Sequence, residues 1–185
     1  MNDLHLHEHR LSGEPDRLRS VERLALLELE RVVAVSLEGL TVKTMLDVGT
    51  GTGVFAEAFA KLVPDVTGID LIVDLLAVAR GYIPGAHFQG ASAEAIPFEN
   101  GTFDLVFLGH VLHETGDALK ALEEARRVAR SRVVALEWPY RQEKPGPPLE
   151  DRLKPDVIVD LAGTAGFRTV ENISLAHMVL YRLTP

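Results

Sequence analysis

Cysteine is absent from the 185-residue chain. That removes disulfides, thiolate nucleophiles and zinc–thiolate centres from the available chemistry and leaves the redox compartment undetermined. No apolar run approaches the roughly 20 residues that cross a bilayer. Residues 1–10 are polar and histidine-bearing, where a secretory leader would place a charged start followed by an apolar stretch. The reading is a soluble, cytoplasmic chain without a membrane span. Positive charge is in deficit: 19 Lys and Arg face 27 Asp and Glu, a formal charge of −8. A broad, sequence-independent grip on DNA or RNA neutralises phosphates with such cations, so no nucleic-acid partner is expected. What the chain has is apolar residues, 46% of the total, enough at this length for one buried core and too few for two. One domain over 1–185 is expected, with a tail and helical cap over 1–40 and the core over 41–185. No internal repeat or low-complexity segment interrupts it.

Hydrophobic periodicity and Gly/Pro punctuation place the elements. Residues 16–37, rich in Leu, Val, Arg and Glu with no internal Gly or Pro, read as one or two helices, with Pro15 where a first turn tolerates it. Then come a strand at 44–48, a glycine turn at 49–53, a helix at 54–62 stopped by Pro64, a strand at 66–70, a helix near 73–80 and a strand at 87–89. The pattern resumes with a strand at 103–108, a helix at 117–129 and a strand at 133–137. Strands alternating with helices at this spacing predict an α/β fold with a parallel sheet covered on both faces. Residues 138–155 hold Pro139, Pro145, Gly146, Pro147 and Pro148 and read as a surface loop near the strand ends. A helix at 156–165 follows, and strands at 169–173 and 178–183 lie too close for a crossover helix, predicting a C-terminal antiparallel hairpin.

Ligands of open α/β sheets bind at the carboxyl ends of the strands, and the first strand-to-helix turn is Gly49-Thr50-Gly51-Thr52-Gly53. Its alternating glycines permit backbone angles closed to other residues and let a ligand lie against bare main chain. A dinucleotide fingerprint wants its third glycine one residue later, where Val54 stands, which argues against NAD. Asp70 ends the second strand, where a carboxylate accepts both hydroxyls of a ribose or caps the next helix; Asp74 is the better placed cap. Asp47 lies one residue inside the first strand's end, an apolar setting in which a carboxylate needs a partner, either amides of the turn or a ligand amine.

Together the segments 45–53 (MLDVGTGTG), 68–70 (GID), 93–98 (AEAIPF) and 103–108 (FDLVFL) resemble class I S-adenosylmethionine-dependent methyltransferases. The likeness runs from about Thr44 to the C-terminus and points to the branch of quinone and sterol methyltransferase-type domains, the type 11 methyltransferase domain. It implies a Rossmann-like three-layer sandwich, with a mostly parallel seven-stranded sheet, a C-terminal antiparallel hairpin and an N-terminal helical cap. It further implies that Asp47 and the turn Gly49, Thr50, Gly51 and Gly53 surround the methionine portion of the donor, that Asp70 binds its ribose, and that Leu71 and Ala93 border its adenine. Glu94 and Gly109 complete the set. Where many relatives carry an Asp ahead of the Ala-Glu pair, this chain has Ser92, a weaker acceptor for the adenine amino group and equally a cap for a turn starting at Ala93.

Methyl transfer from a sulfonium is an in-line displacement in which alignment supplies most of what is needed, roughly 7–11 kcal/mol. A base matters only where the acceptor must lose a proton. Candidates follow the fourth strand in Gly109-His110-Val111-Leu112-His113-Glu114. On a helical turn His110 and His113 share a face, which suits a base or a metal pair, while capping or packing are the ordinary uses of histidine. No metal is assigned, including to His5, His7 and His9 of the polar N-terminus. Arg126, Arg127, Arg130 and Arg132 cluster at a helix end and read as a solvated face. Trp138, Tyr140 and Arg141, together with the N-terminal helices, either shape an acceptor pocket or pack. The leading reading is an enzyme that methylates a small-molecule acceptor, releasing S-adenosylhomocysteine; the alternative is a non-catalytic S-adenosylmethionine-binding regulatory or partner module.

Overall fold

A computed structural model describes residues 15–185; His5, His7 and His9 lie outside the described residues. Seven strands form a single sheet in the order β3-β2-β1-β4-β5-β7-β6. They are β1 (Thr44–Val48), β2 (Asp65–Asp70), β3 (His87–Gly90), β4 (Phe103–Gly109), β5 (Ala129–Glu137), β6 (Thr169–Ser174) and β7 (Val179–Thr184). The first five run parallel, and β7 pairs antiparallel with both β5 and β6. The α/β class and the terminal hairpin are as the pattern predicts. Strand order reverses between β1 and β4, so their carboxyl ends open a crevice there.

Helices cover both faces. In β5, Val134 and Leu136 join Met45, Leu105 and Phe107 in one buried cluster, and Val133 and Ala135 join Leu46, Val48, Val106 and Leu108 in the other. This strict alternation is why the central strands read as continuous apolar runs. The first cluster takes α3 (Leu29–Leu37), α4 (Val54–Ala60) and α5 (Val73–Tyr82); the second takes α6 (Ala118–Val128) and α7 (Pro155–Thr164).

Boundaries differ from expectation in two places, each for a tertiary reason. The N-terminal helical stretch is three helices, α1 (Pro15–Leu18), α2 (Val21–Leu27) and α3. Ser20 caps α2 by accepting from the Arg23 N–H, and Glu28 breaks the chain in the left-handed region at φ 47°. The Glu28 carboxylate accepts from the amides of Ala176 and Ala176's neighbour His177 at 2.7 and 3.3 Å, so capture by the β6–β7 turn overrides local helix preference. β5 begins at Ala129, and Arg130 and Arg132 are strand residues with separate tasks. Arg130 pairs with Asp104, Arg132 donates to the Ser36 and Glu38 carbonyls, and Arg127 bonds Glu124 and the Ile96 and Phe98 carbonyls. Arg127, Arg130 and Arg132 are staples between elements, and Arg126 alone of the four stays an exposed helix residue. Asp74 does not cap α5: the helix starts after Ile72, whose N–H donates to Asp70.

Candidate active site

The glycine turn is held from below. Asp47, 1% exposed, accepts from the Thr50 hydroxyl at 2.7 Å and the Ala56 N–H at 3.2 Å. Burial pushes its carboxyl up from the ordinary 3.8 to about 7, against the pull of those two bonds and with a further push from Asp70. Asp70 closes the turn from the side, accepting from the Gly51 N–H at 2.7 Å and the Ile72 N–H at 2.8 Å; burial raises its pKa in spite of these bonds. Gly49, Gly51 and Gly53 all have positive φ. At Gly49 a Cβ would stand 2.3 Å from the Val111 side chain, so no larger residue leaves the turn in place.

Above the turn lies a crevice of three lobes, and His110 and Glu114 line every one. The first, about 430 Å³, is bounded by Gly49, Asp70, Leu71, Ser92, Ala93 and Glu94. The second, about 120 Å³, sits over Gly49, Gly51 and Gly109 beneath Arg17, Leu18 and Arg23 of the N-terminal helices. The third, about 300 Å³, reaches from Arg17 and Arg23 past His113 and Trp138 to Pro147 and Pro148 of the proline-rich loop. Eight of the residues named from sequence as donor ligands thus meet around one crevice: Gly49, Gly51, Asp70, Leu71, Ser92, Ala93, Glu94 and Gly109. Asp47, Thr50 and Gly53 line none of the lobes and instead support the turn. Ser92 caps its turn, its hydroxyl accepting from the Glu94 N–H at 3.1 Å, and Glu94 accepts from the Gly116 and Asp117 amides at 2.9 and 3.1 Å. Tyr140 and Arg141 stay outside the third lobe: Tyr140 lies beside Lys154, and Arg141 pairs with Glu143.

The two histidines do not share a helical face. His110 takes a left-handed φ of 60° directly after β4, whereas His113 sits in a short 3-10 turn, Leu112–Glu114. His110 is buried, stacks on Trp138 with ring centroids 4.9 Å apart, and places Nε2 3.2 Å from the Met178 sulfur. Its Nδ1 is buried with no hydrogen-bond partner among the described residues. Desolvation, helped by Arg23 and His113, lowers its pKa well below 6.5 and keeps the ring neutral. His113 has the opposite setting. Its Nδ1 is 2.7 Å from Glu137 Oε2, with both side chains almost wholly buried, and its backbone N–H reaches Glu137 Oε1 at 3.4 Å. Burial works against the imidazolium, but the bond to Glu137 and the charges of Glu137, Glu114 and Asp151 outweigh it and raise the pKa.

Sequence reasoning missed Glu137 and Arg152. The signal for Glu137 was present: an acidic residue closing a buried strand needs a partner. Arg152, with its side chain 1% exposed, donates to the carbonyls of Pro139, Arg141, Glu143, Pro145 and Pro147 and so moulds the wall of the third lobe. Gly146 packs so close to Trp138 that a Cβ would stand 2.6 Å from the indole.

Residues 46–136 match the family described as a methyltransferase domain. A demethylmenaquinone methyltransferase of Chlorobaculum tepidum is 37% identical over 106 residues, covering 54% of this chain and 44% of its own. An uncharacterized methyltransferase, YcgJ of Bacillus subtilis, is 30% identical over 105 residues, 50% of this chain and 42% of its own. The chain therefore spans less than half the length of these curated relatives. Among solved structures, a SAM-dependent methyltransferase from Aquifex aeolicus superimposes with a TM-score of 0.80 at 24% identity, covering 93% of this chain and 98% of the other. The chain has the Rossmann-like methyltransferase fold, and residues 46–136 carry the methyltransferase-domain sequence that it shares with these relatives.

Proposed function

We propose that the chain binds S-adenosylmethionine across the first and second lobes and methylates a small molecule held in the third. The observation that carries this reading is the confluence of the lobes: a glycine-floored crevice with a carboxylate at its side opens, past His110 and Glu114, into a separate cavity closed by the N-terminal helices and the proline-rich loop. The residues suit such a donor. Asp70 offers a carboxylate to a ribose. Leu71, 63% exposed despite its size, offers an apolar edge to a purine ring. Gly49 and Gly51 leave bare backbone beneath the amino-acid end, and Arg17 and Arg23 face the second lobe from above. When bound, S-adenosylmethionine supplies an electrophilic methyl group whose leaving group is a neutral thioether. The chain's own part is alignment and exclusion of water: the stacked His110 and Trp138 rings form an apolar wall where the lobes meet. The quinone acceptor named for the Chlorobaculum tepidum relative supports a small organic acceptor over a macromolecule.

Calorimetric titration tests this. S-adenosylmethionine and S-adenosylhomocysteine are expected to bind in competition with one another, and NAD is expected not to bind. Failure of both adenosyl compounds to bind would overturn the proposal.

A further inference from the structure

The acceptor's chemistry is legible in the third lobe, given that the lobe receives an acceptor as proposed above. We infer that His113, held by Glu137, is the general base of this site, and that the acceptor is an organic molecule with an acidic hydroxyl, a phenol or an enol.

The geometry assigns the roles. Glu137 engages His113 twice, at Nδ1 and at the backbone N–H. A carboxylate 2.7 Å from Nδ1 keeps the ring proton there, which leaves the lone pair on Nε2. His113 lines the third lobe, and its Nε2 lies 3.8 Å from Glu114 Oε1, whose side chain is half exposed. Glu137 does not line any of the lobes, so it is a positioning residue: it fixes tautomer and orientation and stabilises the imidazolium that forms. His110 is the poorer base, because burial holds its pKa well below 6.5, and its ring is stacked on Trp138 with Nε2 turned to the Met178 sulfur.

The base also narrows the acceptor. A thiol ionises near pH 8.5 without much help, and an unprotonated amine attacks with its own lone pair and loses a proton afterwards. An aromatic hydroxyl, with a pKa of about 10, gains most from a base placed beside it. The rest of the lobe suits the same molecule. Pro147 and Pro148, with the edge of the buried Trp138, offer apolar surface for a ring, and the guanidinium of Arg23, balanced by the Glu114 carboxylate, lines the lobe as a counter-charge for the developing oxyanion. In the reaction the acceptor O–H breaks and its proton moves to His113 Nε2. The oxygen keeps the electron pair and forms the new C–O bond, while the pair of the breaking C–S bond stays on sulfur. The proton then leaves to solvent on the Glu114 side.

Around His113 the charged groups are Glu137 from β5, Glu114 on its own turn and Asp151 from the proline-rich loop; Arg17 and Arg23 from the N-terminal helices share the lobe, and His110 is neutral. The test uses 4-nitrocatechol, whose ionisation is visible in its absorbance, added to the protein with S-adenosylhomocysteine. Bound to the wild-type chain, the probe is expected to ionise at a more acid pH than when free, and His113→Gln is expected to abolish that shift. With S-adenosylmethionine, methylation of unsubstituted catechol, whose hydroxyl ionises in the ordinary phenol range, should fall about 100-fold or more in His113→Gln. In Glu137→Gln the rise of rate with pH should move to lower pH, because the amide can still accept from Nδ1–H but the negative charge that favoured the imidazolium against burial is gone. Loss of S-adenosylhomocysteine binding by the wild type would defeat the methyltransferase reading itself. Retained S-adenosylhomocysteine binding with no shift of the probe, or a shift that survives His113→Gln, would overturn the base and the acceptor class alone. The wild-type titration decides this even if Glu137→Gln does not fold.

Discussion

Two carboxylates under one turn differ in what they touch, and substitution should separate them. Asp47 is sealed beneath the glycines and Asp70 opens on the first lobe. Asp47 has a folded pKa of about 7 against an ordinary 3.8, so the folded state holds its proton more tightly than the unfolded chain does. Stability therefore falls as pH rises from about 4 to about 7. Asp47→Asn keeps an oxygen for Thr50 and Ala56 but cannot ionise. Its stability relative to wild type should climb across that window by a few kcal/mol in order of magnitude, as read by urea denaturation at about pH 5 and pH 8. Asp70→Ala should instead weaken S-adenosylmethionine binding by about 1.5–3 kcal/mol, because charge-assisted bonds to the ribose are lost; unchanged affinity in calorimetry would remove Asp70 from the donor site. At this scale the sequence was legible where chemistry forces a choice. A carboxylate inside an apolar strand must have partners, and Asp47 has them. It was not legible where backbone angle decides: nothing in the composition of 109–114 distinguishes His110, turned inward by a positive φ, from His113 three residues on.

The proline-rich loop shows what element-level reading captures and what escapes it. Its prolines announce an irregular segment, because each lacks an N–H and fixes φ. The same deficit leaves the loop's carbonyls short of donors, and Arg152 supplies them from a residue at the loop's far end. No sequence pattern points to that arginine, since the bonds form only once the loop has curled around it. Arg152→Met should fill much of the volume yet leave those part-buried carbonyls short of donors, costing about 1–3 kcal/mol in guanidinium denaturation. A loss below about 0.5 kcal/mol would mean that the loop holds its shape by packing alone. The split of the N-terminal helices at Glu28 has a similar origin: its partners are the amides of Ala176 and His177, distant in sequence and invisible to helix propensity.

Across the whole molecule, one residue fastens the N-terminal helices to the glycine turn. Arg19 donates to the Thr52 carbonyl at 2.7 and 3.2 Å, pairs with Glu57 at 2.7 Å and lies 3.4 Å from the centre of the Tyr82 ring, joining the helices above to the turn, α4 and α5. Leu18, beside it, stands directly over Gly51. Arg19→Ala should release this clasp. Amide hydrogens of α2 are expected to exchange faster, and S-adenosylmethionine affinity to drop by up to about tenfold, with little change in the exchange of the central strands. Equal protection of α2 in both proteins would show that the helices are held by their apolar contacts instead. The layered α/β sheet was legible in sequence because period and punctuation repeat along the chain. The seat of the N-terminal helices was not, because it depends on single long side chains meeting elements that follow much later.

The chain has one tryptophan, and it is the ring stacked on His110 where the lobes converge. A protonated imidazole in contact with indole would quench its emission, but this one stays neutral while its neighbour His113 titrates. The protein thus carries a built-in optical gauge: its native fluorescence should hold steady through the pH range in which the base changes charge, and respond when a ligand enters the third lobe that the indole edges.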